Sequence, residues 1–113
     1  TSLLQRVRLL DGTALSAETA FTLRTRSGAE MLGVDAGVIA PGKLADLVAV
    51  DLGHASLHPR NDILKSIVYA MSHQAVTDVW IHGRRIVDGG RLTTLDAREL
   101  LARVSELTRG WKI

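Results

Sequence analysis

Residues 44–52 read Leu-Ala-Asp-Leu-Val-Ala-Val-Asp-Leu, with Leu47, Val48, Ala49 and Val50 forming an apolar run. A strand with one wet face alternates apolar and polar positions. A nearly unbroken run with β-branched members instead predicts a strand buried on both faces. Such a strand needs neighbours along its edges and cover over both faces. The rest of the chain sets how much of that is available.

A second β signal lies at 76–88, where Val76, Asp78, Trp80 and His82 alternate with Thr77, Val79 and Ile81. His82-Gly83 reads as a two-residue hairpin turn, with Arg84 to Val87 as the return strand and Gly89-Gly90 ending it. Four stretches carry helical spacing. In the first, residues 2–10, Leu3, Leu4, Val7 and Leu10 repeat before Asp11-Gly12 stops the pattern. The second spans 16–32, with Ser16 as N-cap, Glu18 in the first turn and Gly33 as a left-handed C-cap. Its Gly28-Ala29 pair leaves a flat surface that would permit close packing. The third, 62–72, is capped by Asn61 or Asp62 and sets Leu64, Ile67, Val68 and Met71 on one face. The fourth, about 96–109, has Asp96 and Glu99 at capping-box spacing and steps through Leu100, Val104, Leu107 and Trp111. Residues 36–43 and 53–61 are loops, the first holding a Pro41-Gly42 type II turn.

The predicted order is helix, helix, strand, helix, two hairpin strands, helix. Three strands make a thin sheet, with fewer partners than the apolar strand at 44–52 requires. At 113 residues there is room for one small domain. The expectation is therefore a piece of something larger. Thr1, with no Met before it, is compatible with a fragment as well as with a mature protein.

Composition narrows the function classes. At 46% hydrophobic and net charge +2 the chain is globular in character, since disorder goes with low hydrophobicity and high net charge. Fourteen Lys+Arg against twelve Asp+Glu is near balance, and the closest basic pairs are Arg24 with Arg26 and Arg84 with Arg85. That is no basic stripe, and no nucleic-acid partner is expected. The absence of cysteine removes disulfides, thiolate metal sites and a cysteine nucleophile from these residues, and fits a reducing cytoplasm. No apolar run reaches the roughly 20 residues that a membrane helix needs.

The search for chemistry returns little. His54 and His58 stand four apart, but Gly53, Ser56 and Pro59 place them in a loop rather than on one helix face. Local hydrogen bonding is the expectation for them. His73 follows the third helix and is expected to interact with its C-terminus, and His82 belongs to the hairpin turn. There is no Gly-x-Ser-x-Gly elbow, Ser27-Gly28 being helical, and Gly89-Gly90 lacks the spacing of a phosphate loop. Asp46 and Asp51 flank the apolar strand at about 16 Å, too far to share a proton. Asp46 is expected to tie down the Pro41-Gly42 turn by accepting backbone N–H bonds.

Three ordered segments carry more. Residues 25–33 read TRSGAEMLG, 41–51 read PGKLADLVAVD and 76–88 read VTDVWIHGRRIVD. Thr25, Gly28, Ala29, Leu32 and Gly33 match the first family motif. Pro41, Gly42, Lys43, Ala45, Asp46, Leu47, Val48 and Asp51 match the second, and Val76, Val79, Ile81, Gly83 and Val87 the third. The series resembles the C-terminal region of the amidohydrolase superfamily over about residues 15–109. It is most like the branch of cytosine and guanine deaminases, adenosine-analogue deaminases and triazine chlorohydrolases. Residues 56–71, SLHPRNDILKSIVYAM, lean toward the last two.

The resemblance implies an α/β fold: the last helices of a (β/α)8 barrel at 1–34, part of a small composite β domain at 35–94, and a C-terminal helix at 95–113. It implies a full-length enzyme with a divalent metal, zinc or iron, that activates water against a C–N or related bond of a small heterocycle. Its further implied partners are the N-terminal remainder of the same polypeptide, whose strands would join the one at 44–51, and possible further copies in a homo-oligomer. The family's ligands are a His-x-His pair, two later histidines and an Asp, with a proton-shuttling Glu. None of those motifs occurs in residues 1–113, so no catalytic, metal or substrate-binding residue is assigned. The alternative is a free-standing binding or assembly module of the same fold, without enzymatic activity.

Overall fold

The computed structural model describes residues 2–111. Helix α1, Ser2–Leu9, ends where Asp11-Gly12 was expected to stop it; Leu4 and Val7 on it are exposed. The side chain of Leu3 lies outside the described residues.

The single helix expected over 16–32 is two. Helix α2, Ala17–Arg24, is capped by Ser16, whose hydroxyl accepts from Thr19 N–H. Helix α3, Arg26–Leu32, follows after a break at Thr25 (φ −114°, ψ −92°) and ends on Gly33 in the left-handed region. Two local causes stand at the break. The Thr25 hydroxyl donates to the Phe21 carbonyl at 2.9 Å, a back-bond of the kind that bends helices. Gly28 lets α3 fold close to α2, since a Cβ there would lie 3.2 Å from the Leu23 carbonyl oxygen. The helical spacing over 16–32 predicts one face holding Ala17, Ala20, Phe21, Arg24, Gly28, Met31 and Leu32, and that face is lost with the helix axis. Ala17 and Ala29 are buried, whereas Met31 and Leu32 are 84% and 75% exposed.

Pro41 and Gly42 form the expected turn, with Lys43 N–H donating to the Ala40 carbonyl at 3.2 Å. Strand β1, Leu47–Val50, is shorter than 44–52. It is also not covered on both faces: Val48 is 60% exposed. A short 3-10 turn at Ala55–Leu57 seats the buried Leu57, and lies within the stretch expected to be loop. Helix α4, Ile63–Tyr69, starts on Asp62, whose carboxylate accepts from Lys65 N–H, and packs on α2.

The hairpin forms as expected from β2, Val76–Ile81, and β3, Arg84–Asp88. His82 and Gly83 both have positive φ, 55° and 74°, the backbone that a tight primed turn requires. Gly89-Gly90 does not end the sheet. It turns the chain into β4, Arg91–Leu92, so the sheet has four strands in the order β1-β2-β3-β4, all antiparallel. Leu47 stands opposite Trp80, and Trp80 opposite Arg85. On the other face Val48, Val79, Val87 and Leu92 line up. Among the described residues the outer edge of β1 has no strand beside it.

Helix α5, Ala97–Thr108, is capped by Asp96, which accepts from the N–H groups of Arg98 and Glu99. Its expected inner face, Leu100, Val104 and Leu107, is 50%, 47% and 68% exposed, and Trp111 beyond it 76%. The buried hydrophobic residues among those described are Ala17, Ala29, Leu57 and Ala75.

Candidate functional site

Four polar constellations hold the fold together. The first joins β1 to the hairpin. Asp46 accepts the His82 N–H at 2.7 Å, 36 residues away, and Gly83 N–H donates to the Ala45 carbonyl at 3.0 Å. Asp46 therefore ties down the hairpin turn and not, as expected, the Pro41-Gly42 turn. The hairpin folds back beside the start of β1, so its open backbone donor lies nearer to this carboxylate. Asp51 caps its own bend, accepting from Gly53 N–H at 2.8 Å.

The second lies on the sheet. Asp78 accepts from Arg85 Nε at 3.1 Å and from Gly89 N–H at 3.1 Å. Arg85 also reaches Asp88 at 2.9 Å and lies 5.6 Å above the Trp80 ring. Hydrogen bonds from Arg85 first, then from the Thr77 hydroxyl and Gly89 N–H, hold the Asp78 carboxyl below the ordinary aspartate value.

The third orders the loop before α4. His54 Nδ1 accepts from Ser56 N–H at 3.2 Å and contacts the Ser56 hydroxyl at 2.9 Å, while Ser72 N–H donates to that hydroxyl at 3.0 Å. His54 thus caps a short turn, the local role expected of it. His58 is exposed directly after that turn, and His73 is exposed in a second 3-10 turn, His73–Ala75. The fourth, unmarked by any sequence motif, joins residues 63 positions apart. Arg6 Nη2 donates to the Tyr69 hydroxyl at 2.6 Å, and its guanidinium carbon lies 4.5 Å from the ring centre.

None of these assembles a nucleophile with a base. Among the described residues no three of His, Cys, Asp and Glu stand close enough to hold a metal ion. The described residues do not fit the metal that the resemblance implies.

A mixed α/β chain with a small antiparallel sheet takes its class from comparison. Residues 1–86 match the amidohydrolase family model, and the chain belongs to that family. Among its relatives are the 5-methylthioadenosine/S-adenosylhomocysteine deaminases of Bacillus anthracis (strain A0248) and Bacillus cereus (strain G9842). Each is 38% identical over 111 residues, covering 96% of this chain and 26% of the relative. An adenosine deaminase from Xanthomonas campestris, solved with bound zinc, superposes with a TM-score of 0.88 at 34% identity over 96% of this chain and 25% of that one. An atrazine chlorohydrolase from Arthrobacter aurescens TC1 complexed with zinc gives 0.74 at 25% identity, over 83% and 21%. The chain spans about a quarter of the length of the relatives it matches.

Proposed function

We propose that these residues form the structural C-terminal part of a cytoplasmic, metal-dependent amidohydrolase that hydrolyses a C–N or related bond on a small heterocycle, a purine nucleoside analogue before a triazine. In this reading residues 1–34 close the barrel, 35–94 complete a composite β domain and 95–113 are the terminal helix. The catalytic metal is held elsewhere in the polypeptide. The supporting relatives include adenosine-type deaminases at 34–38% identity, which favours deamination over dechlorination.

One observation carries the structural role: the core among the described residues is confined to Ala17, Ala29, Leu57 and Ala75. No large side chain among the described residues is fully buried, while Leu4, Leu10, Met31, Ile39, Leu107 and Trp111 are at least two-thirds exposed. The radius of gyration is 18.1 Å, against about 13 Å for a compact domain of this size. Surface of that extent belongs against other protein.

The test uses the full-length protein and the 113-residue chain side by side. Full-length protein should bind a stoichiometric divalent metal and release ammonia from adenosine, 5-methylthioadenosine or S-adenosylhomocysteine. The chain alone should do neither. Stoichiometric zinc or activity in the short chain would overturn the structural role; a full-length protein inert toward all three purines would overturn the substrate class.

A further inference from the structure

The turn joining α1 to α2 is held in an unfavourable shape. Leu10 and Leu15, at its two ends, have φ of 50° and 62°, a region that leucine avoids because its Cβ crowds the following carbonyl. Residues kept there persist when their surroundings over-determine them. Asp11 supplies part of that bracing, accepting from Thr13 N–H at 2.8 Å and from the Thr13 hydroxyl at 2.6 Å. Those bonds stay inside the turn and fix nothing outside it.

An external hold comes from the pair Arg6 and Tyr69. Arg6 Nε donates to the Ala14 carbonyl at 3.3 Å, and its backbone carbonyl accepts from Asp11 N–H at 3.2 Å. Its guanidinium lies over the Tyr69 ring and donates to the Tyr69 hydroxyl, which in turn donates to the Leu15 carbonyl at 3.2 Å. The guanidinium and the phenol are thereby joined by stacking and by hydrogen bonds at their edges. The last two carbonyls of the turn, Ala14 and Leu15, are each gripped by one member of the pair.

We propose that Arg6 and Tyr69 form a clamp that holds the Leu10–Leu15 turn in its strained shape and so sets α1 against α4. Taken with the division at residue 34, which rests on the reading proposed above, the clamp is a latch between the barrel-closing helices and the β domain. Arg6 comes from the first and Tyr69 from the second. Neither touches a reacting group in these residues; the pair is a positioning device.

Amide hydrogen exchange in the full-length protein tests it. Tyr69→Phe keeps the ring and removes both hydroxyl bonds; Arg6→Met keeps bulk and removes the fork. Each should speed exchange at residues 11–16 about tenfold, the loss of a net hydrogen bond or so, with residues 76–81 unchanged. The double variant should exchange no faster than the worse single one, because the two side chains act as a unit. Leu10→Gly, which accepts positive φ, should return the Tyr69→Phe rate toward the parent's. Unchanged exchange at 11–16, an equal rise at 76–81, or multiplying effects in the double variant would each overturn the clamp. A Leu10→Gly change without effect would overturn the strain. The measurement needs neither metal nor substrate, so a protein inert as an amidohydrolase still reports on it.

Discussion

Gly37 has a φ of 80°, and a Cβ there would come within 2.6 Å of the Thr25 carbonyl oxygen. The chain after α3 passes directly over the break between α2 and α3, with backbone on both sides. Gly37→Ala should therefore lower stability by at least about 1–2 kcal/mol for the left-handed backbone alone, more for the contact; a thermal or denaturant melt of the full-length protein measures it. Asp78 gives a pH prediction. Its carboxyl sits below the ordinary value because Arg85, then Thr77 and Gly89, bond the charged form. A folded value below the unfolded one stabilises above the ordinary aspartate pKa of about 4, and that contribution is lost as pH falls through the folded value. Asp78→Asn should melt lower than the parent at neutral pH, and the gap should close below about pH 4. A gap that persists unchanged to pH 3 would mean that the charge of Asp78 does not matter. The bonding of Asp46 belongs to this scale too: an acceptor was legible in the sequence, but its donor, His82, was not. Short-range chemistry names which group needs a partner, and a donor 36 positions away supplies it.

Helices and strands were legible to the extent that their signals are local. Ser16, Asp62 and Asp96 cap α2, α4 and α5 through their own side chains, and His82-Gly83 turns the hairpin; these depend on two to four neighbours each. The break at Thr25 was not legible. Its cause is a hydroxyl back-bond combined with a close approach at Gly28, and the apolar spacing runs through it unaltered. The two-residue β4 escaped for a similar reason, since Gly89-Gly90 reads as a stop and Arg91–Leu92 is too short to show alternation. Helix α5 shows the converse case. Its apolar ridge was plain, but Leu100, Val104 and Leu107 on it remain 50%, 47% and 68% exposed. Leu107→Glu in the full-length protein should cost several kcal/mol, as for an uncompensated charge placed in an apolar contact, with oligomeric state unchanged if the remainder of the same polypeptide covers the ridge. Conversion to a folded, active, smaller species in sedimentation would assign the ridge to a second copy instead.

At the level of the whole molecule, residues 2–111 fold into a four-stranded sheet with β1 and β4 at its edges, a small helical cluster and a terminal helix, with few buried side chains among them. Produced alone, the chain should therefore self-associate through apolar faces and the β1 edge; light scattering should show species well above 12.2 kDa, and a monomer with a sharp two-state melt would contradict the account. The strand at 44–52 illustrates the division between sequence and structure. Its run of apolar residues predicted a strand buried on both faces, because side-chain hydrophobicity is a property of each residue; a strand forms at Leu47–Val50, without that cover. Family membership was legible for the same reason, in short motifs whose glycines, prolines and caps act locally. Only the tertiary structure decided that Val48 is left in solvent, that Asp46 holds the hairpin, and that Arg6 meets Tyr69. Those facts depend on where distant segments come to rest, and no single residue encodes that position.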